Sequence, residues 1–205
     1  MNDLLIGVIT GDIVNSRKLS PSIWLKKIKK VLKRNKIVAR KWEIFQGDMF
    51  QIVIAPELAL VTAIEIKSTI KEEKDIDVRI AIGLGTQNYE AKKVTESNGE
   101  AFVNSGISFE NLKKNKLSIQ TPWDEFNEEW NVIFQIASLT MDNWAPMTAI
   151  IFNAALTNPK LTQSELAKKL KRTQSTISEG LGRAGYDEIV QLLDLYEKHV
   201  RQKIN

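Results

Sequence analysis

The chain has 205 residues, of which 43% are hydrophobic and 26% charged, the balance of a folded globular protein large enough for one sizeable domain or two small ones. It has no cysteine and a single histidine, which excludes disulfides and any zinc site built on thiolate or imidazole, and fits a reducing cytoplasm. The net charge of +4 is only mildly basic, and no apolar run approaches the roughly 20 residues a membrane helix needs, so no membrane partner is expected.

The opening MNDLLIGVITGD lacks a basic start and a small-residue cleavage site, so it reads as the beginning of the fold in a cytoplasmic protein, with no export signal. LLIGVIT (4–10) is a continuous apolar run that predicts a buried central strand ending at Gly11, with Asp12 just beyond it. Ser20 and Pro21 then give an N-cap and a first helical residue, and Trp24, Ile28, Val31 and Leu32 form the apolar stripe of the helix that follows. Lys26, Lys27, Lys29, Lys30, Lys33, Arg34 and Lys36 crowd the same helix, either as a solvated face or as a surface for phosphates or nucleic acid.

WEIFQ and MFQIVI predict two strands of a hairpin with Gly47-Asp48 at its tip. Pro56 opens a second helix with Leu60, Ala63, Ile64 and Ile70 at helical spacing, and DVRIAIGLG (77–85) is a further strand. GEAFVNSGISFENLKK (99–114) predicts a third helix and LSIQT a fifth strand. The order β-α-β-β-α-β is that of a ferredoxin-like unit, in which the first strand and the central hairpin are neighbours. Asp12 and Asp48 would then stand at adjoining ends of one sheet. A single Gly-Asp pair is most simply a turn or cap; two that adjoin could share a hard cation, with their carboxylates within about 8 Å.

Pro122 marks a change of pattern, dividing the chain into an α/β part (1–122) and a helical part (123–205). The helix from Glu125 to Met141 carries Phe126, Trp130, Ile133, Phe134 and Ala137 in a wide apolar stripe, and His199 falls in a polar C-terminal helix as a solvated residue. In LTQSELAKKLKRTQSTISEGLGRA (161–184), Thr162 and Glu165 form a capping box and Thr173 caps a second helix after a short turn, the pattern of a helix-turn-helix completed by a preceding helix over 146–156. Thr173, Gln174, Ser175, Thr176 and Ser178 offer short polar groups to base edges of double-stranded DNA, and Arg183 a cation for phosphate or guanine. Such three-helix units also serve as plain interaction modules. Glu179 would face phosphates, and Gly180 and Gly182 each cost about 1 kcal/mol of helix stability.

VITGDIVNSR, WEIFQGDMFQI, DVRIAIGLG, TESNGEAFVNSG and TQSELAKKL…QSTIS together resemble the SatD family of small bacterial proteins, described as regulators with a DNA-binding tail. More distantly, residues 5–112 resemble the palm domain of class III nucleotidyl cyclases and diguanylate cyclases. That resemblance implies a Mg²⁺ site at Asp12, the Ile13 carbonyl and Asp48, with Gly11, Gly47 and Asn104 beside a nucleotide. Ser108 stands where those enzymes carry a transition-state arginine, which argues against cyclase turnover. The expected fold is therefore α+β, a ferredoxin-like palm followed by an all-α helix-turn-helix domain. The leading expectation is a DNA-binding regulator whose palm forms a homodimer or senses a Mg-nucleotide. The rival is a nucleotidyl cyclase-like or nucleotide-processing enzyme with an accessory tail.

Overall fold

The computed structural model describes residues 5–34 and 39–204, so Leu4 of the first expected strand and Lys36 of the basic cluster lie outside it. A five-stranded sheet is built from β1 (Leu5–Val14), β2 (Ala39–Phe45), β3 (Met49–Ile54), β4 (Asp77–Thr86) and β5 (Leu117–Gln120) in the order β2-β3-β1-β4-β5. The first four strands are antiparallel neighbours and β5 runs parallel to β4. The strand expected to end at Gly11 continues to Val14, because Asp12 pairs across to Arg79 on one side and Met49 on the other. Asp12 is thus a strand residue, not a turn or cap.

Helices α1 (Pro21–Arg34) and α2 (Ala59–Ile70) cover one face of the sheet. Trp24, Ile28, Val31 and Leu32 of α1 are all buried there, with Ile9, Ile13, Phe50 and Ile80 from the strands. The basic character of α1 is partly neutralised: Lys27 bonds Glu72 at 2.6 Å and lies 3.0 Å from Glu73, and Arg34 pairs with Glu65, while Lys26, Lys29, Lys30 and Lys33 face solvent. On the opposite face α3 (Glu100–Glu110) lies across β1, β4 and β5, so close at Gly83 that a Cβ there would sit 2.2 Å from the Ser105 nitrogen.

The rest of the chain is helical: α4 (Asp124–Met141), α5 (Pro146–Leu156), α6 (Gln163–Leu170), α7 (Gln174–Ala184) and α8 (Tyr186–Ile204). Asn131 donates to and accepts from the backbone of Ile119, at 2.9 and 3.0 Å, so α4 covers the free edge of β5. Phe126, Trp130 and Phe134 of α4 and Tyr196 and Val200 of α8 join the same core as the sheet. Trp130 meets Tyr196 edge-on at 5.2 Å, and the Tyr196 hydroxyl donates to the Pro56 carbonyl at 3.1 Å. Residues before and after Pro122 therefore share one hydrophobic core. His199 is half-buried with its ring edge-on to Trp130 at 5.9 Å, not freely solvated as its polar surroundings in sequence suggest.

Helices α5, α6 and α7 form a smaller core of Ile151, Ala155, Leu166, Ala167 and Ile177. The capping box of Thr162 and Glu165 is present in full, and Thr173 accepts from the Thr176 backbone at 3.1 Å. Lys171 ends α6 in the left-handed region, at φ 53°. Gly180 marks a close crossing: a Cβ there would come within 2.4 Å of Ile151, so this glycine, which looks costly in a helix, lets α7 lie on α5.

Candidate functional site

Asp12 stands near the end of β1, and Asp48 is the last residue of the β2–β3 turn, just before β3. That turn needs Gln46 and Gly47 at positive φ, 47° and 90°. The Ile13 amide donates to the Asp48 carbonyl at 3.3 Å, so the two acids occupy adjoining positions at one end of the sheet. Both line a single cleft of about 540 Å³.

Beyond β1 the chain turns at Asn15, which takes φ 61° and donates from its side chain to the Asp75 carbonyl at 3.1 Å. The turn directs Ser16 back toward the cleft, where its hydroxyl donates to Asp48 Oδ2 at 2.6 Å. Arg79 projects from β4 opposite Asp12, donates from Nε to Oδ1 at 2.9 Å, and closes a second contact from Nη2 to Oδ2. The Phe109 ring lies under the guanidinium, 5.6 Å from centroid to Cζ. The hydrogen bonds to Asp12 hold Arg79 above its ordinary pKa, against partial burial and helped by the charges of Asp12 and Asp48.

Arg17, Lys18, Lys113, Lys114 and Lys116 complete the charged wall, giving six cationic side chains with Arg79 against two carboxylates. Lys116 also reaches behind the cleft. Its Nζ lies 2.8 Å from Asp77 Oδ2 and 3.4 Å from Asp142 Oδ2. Lys67 joins the same buried group, 3.1 Å from Asp77 and 2.6 Å from Asp142, and Lys71 bonds the Asp142 carbonyl at 2.8 Å. Burial pushes the Asp77 carboxyl up, but Lys67, Lys116 and Lys71 together bring it below the usual carboxylate range.

The donor set does not fit a resident divalent cation. Both oxygens of Asp12 are taken by Arg79, and one oxygen of Asp48 by Ser16. Among the described residues there is no group of three or more His, Asp or Glu side chains able to hold a metal. A Mg²⁺ ion at Asp12 would first have to displace the guanidinium.

Of the residues expected beside a nucleotide, Gly47 sits at the hairpin tip next to Asp48 in an adjoining depression. Gly11 belongs to the other face of β1, where a Cβ would collide with the Phe50 ring at 2.4 Å. Asn104 is buried, donates to the Leu84 carbonyl at 2.7 Å and thereby fixes α3 on β4, away from the cleft lining. Ser108 is paired with Ser118 at 2.6 Å. Sequence reasoning missed Arg79, Ser16 and the lysines at 113, 114 and 116. An arginine inside an apolar strand and a basic run just after a helix were the signals available.

In the helical part, Gln174, Ser175 and Ser178 are exposed on the first turns of α7, next to exposed Lys171 and Arg172, while Thr173 is occupied as the cap and Thr176 is half-buried. Gln174 lies 3.3 Å from Gln163, and Ser175 donates to Glu179 at 3.2 Å. Arg183 is nine residues beyond Gln174, about half a turn round the helix. It therefore faces away from Gln174 and follows Ser175 and Glu179 along one ridge, pairing with Glu179 at 3.5 Å and lining a separate apolar groove with Ile133 and Ile136. Among the described residues no helix is long and apolar enough to cross a membrane.

No protein-family model matches the sequence, and no curated protein matches it in sequence. Among solved structures the chain is similar to the guanylyl cyclase Cya2, at 12% identity over 58% of this chain and 75% of that one, with a TM-score of 0.40. It is also similar to a bacterial light-regulated adenylyl cyclase, at 13% identity over 58% of this chain and 44% of that one, with a TM-score of 0.38.

Proposed function

We propose that the protein binds a nucleoside phosphate in the cleft where β1 ends and β3 begins. The observation that carries this reading is the cleft's charge: six cationic side chains surround two carboxylates in one concave site of about 540 Å³. A polyphosphate supplies several negative charges and many acceptor oxygens, which match a wall of lysine and arginine donors. The base and sugar would extend beyond that wall, and nothing in the lining selects one base. Binding is the part of the rival enzymatic reading that the cleft supports best. Turnover of a cyclase kind has less support, since Ser108 offers no cation and is tied to Ser118. Isothermal titration with ATP and GTP tests binding, and chromatography of the protein incubated with each triphosphate tests turnover. Heats indistinguishable from dilution for both would remove the reading.

A second reading rests on the exposed polar start of α7. Gln174, Ser175 and Ser178, beside Lys171 and Arg172, form a surface suited to double-stranded DNA, and with the cleft this makes the protein a nucleotide-responsive regulator. Homodimerisation through the sheet part belongs to the same proposal. Val103 and Ile107, exposed one turn apart on α3, give it an apolar surface that analytical ultracentrifugation would probe. A salt-dependent fluorescence titration on genomic fragments tests the DNA contact.

A further inference from the structure

We propose that Arg79 stands in for a divalent cation at Asp12, so that the cleft takes its phosphorylated ligand without metal. The inference rests on the nucleoside-phosphate reading and specifies the chemistry of that site.

A pair of carboxylates that binds polyphosphate through metal starts with the wrong sign of charge, and the ion supplies the attraction. Here the sign is already reversed. Arg79 neutralises Asp12 through a two-pronged contact, and Ser16 donates to Asp48. The cleft wall is cationic before any ion arrives. The guanidinium is also fixed in place, between Asp12 on one side and the Phe109 ring beneath it. Nε and Nη2 are spent on Asp12, and the Nη1 side of the fork is left for a second acceptor. A phosphate oxygen there would meet a planar, permanently charged donor with no proton to lose. An ion at the same place would need Asp12 free, and would have to break a charge-assisted pair to gain it.

The experiment compares ATP binding by the full chain in EDTA and in Mg²⁺, by isothermal titration. The wild type is expected to bind in EDTA with a Kd within about threefold of that in Mg²⁺. Arg79→Met should lose about tenfold or more in EDTA, the loss of one charge-assisted donor, and should regain affinity when Mg²⁺ or Mn²⁺ is added, because Asp12 is then free to ligate it. Asp12→Asn removes a negative charge beside the anion and should bind severalfold tighter in EDTA, whereas a metal-dependent site would lose binding altogether. Mn²⁺ titration followed by electron paramagnetic resonance gives a readout that needs no nucleotide: Arg79→Met should take up the ion and the wild type should not. Wild-type binding that appears only with Mg²⁺, or loss of binding in Asp12→Asn, would overturn the role of Arg79 and leave the nucleotide reading standing. Absence of binding in both buffers would remove the nucleotide reading itself, and the inference with it.

Discussion

Lys116 holds Asp77 at 2.8 Å and Asp142 at 3.4 Å while its side chain also lines the cleft of Asp12 and Asp48. Asp142 caps α4 and begins the turn into α5, so one lysine both lines the candidate phosphate site and holds the joint of the helical part. An anion in the cleft competes with two carboxylates for this lysine. A ligand shifts such an equilibrium only as far as its affinities for the two arrangements differ. We expect ATP to raise hydrogen exchange at amides 142–145 in the wild type, and Lys116→Met to bind ATP more weakly and show no such change. Identical exchange with and without saturating ATP would exclude this coupling.

Acid should weaken the protein through Asp77. Its folded pKa lies below the unfolded value of about 3.9, because the lysines around it outweigh burial. The sign follows: its contribution is full above pH ~4 and is lost as pH falls through the lower folded value. Urea midpoints between pH 2 and 6 should drop steeply for the wild type and less steeply for Asp77→Asn. At pH 7 the variant should be about 3 kcal/mol less stable, since Lys67 and Lys116 then share the Asp142 carboxylate alone and Lys71 keeps only its carbonyl. Parallel acid profiles for the two proteins would assign the acid sensitivity elsewhere.

Gly83 and Gly182 make a controlled pair. A Cβ at Gly83 meets the Ser105 nitrogen at 2.2 Å and the Ala101 carbonyl at 2.3 Å, backbone atoms that cannot swing aside. Gly83→Ala should therefore cost about 3 kcal/mol, the upper end of overpacking penalties. At Gly182 a Cβ meets nothing within 4 Å in the interior of α7, so Gly182→Ala should stabilise by about 0.5–1 kcal/mol. Chemical denaturation of both variants decides it, and equal effects would contradict the close approach of α3 to β4.

For the DNA reading, helix geometry separates residues that look equivalent in sequence. Gln174 and Ser178 share one side of α7, whereas Arg183 faces the groove beside α4. Gln174→Ala and Ser178→Ala should weaken a sequence-selective complex by about 1–3 kcal/mol each, and Arg183→Ala should change it little. A loss confined to Arg183→Ala in a gel-shift titration would place the DNA surface on the other side of the helix.

What could be read from the sequence followed from local pattern. The apolar stripe Trp24, Ile28, Val31 and Leu32 and the Thr162–Glu165 box are short-range signals, and each gave its helix. The extent of β1 was not legible, because what continues the strand past Gly11 is a partner 67 residues away: Asp12 looks like a turn acid until Arg79 is opposite it. Gly180 was misread for the same reason, its purpose lying in Ile151 on another helix. Lys67 is hardest of all. No local pattern singles it out, yet it is 2% exposed, because the helical part covers the side of α2 that the sheet leaves open.

That double covering of α2 also sets a timetable. Eleven of its twelve residues are buried, one side against the strands and the other against helices that follow much later in the chain. At ordinary translation speeds of about 5–20 residues per second, α2 is made seconds before α5 and α8 exist to cover it. During that interval a nascent chain has a sheet with a half-dressed helix on its back. Tyr196, whose hydroxyl secures the stretch just ahead of α2, is made 140 residues after the Pro56 it bonds. Covering α2 is thus a closing step performed by α5 and α8, and a chain stalled or clipped before α8 would present an apolar face to whichever chaperone or protease meets it first.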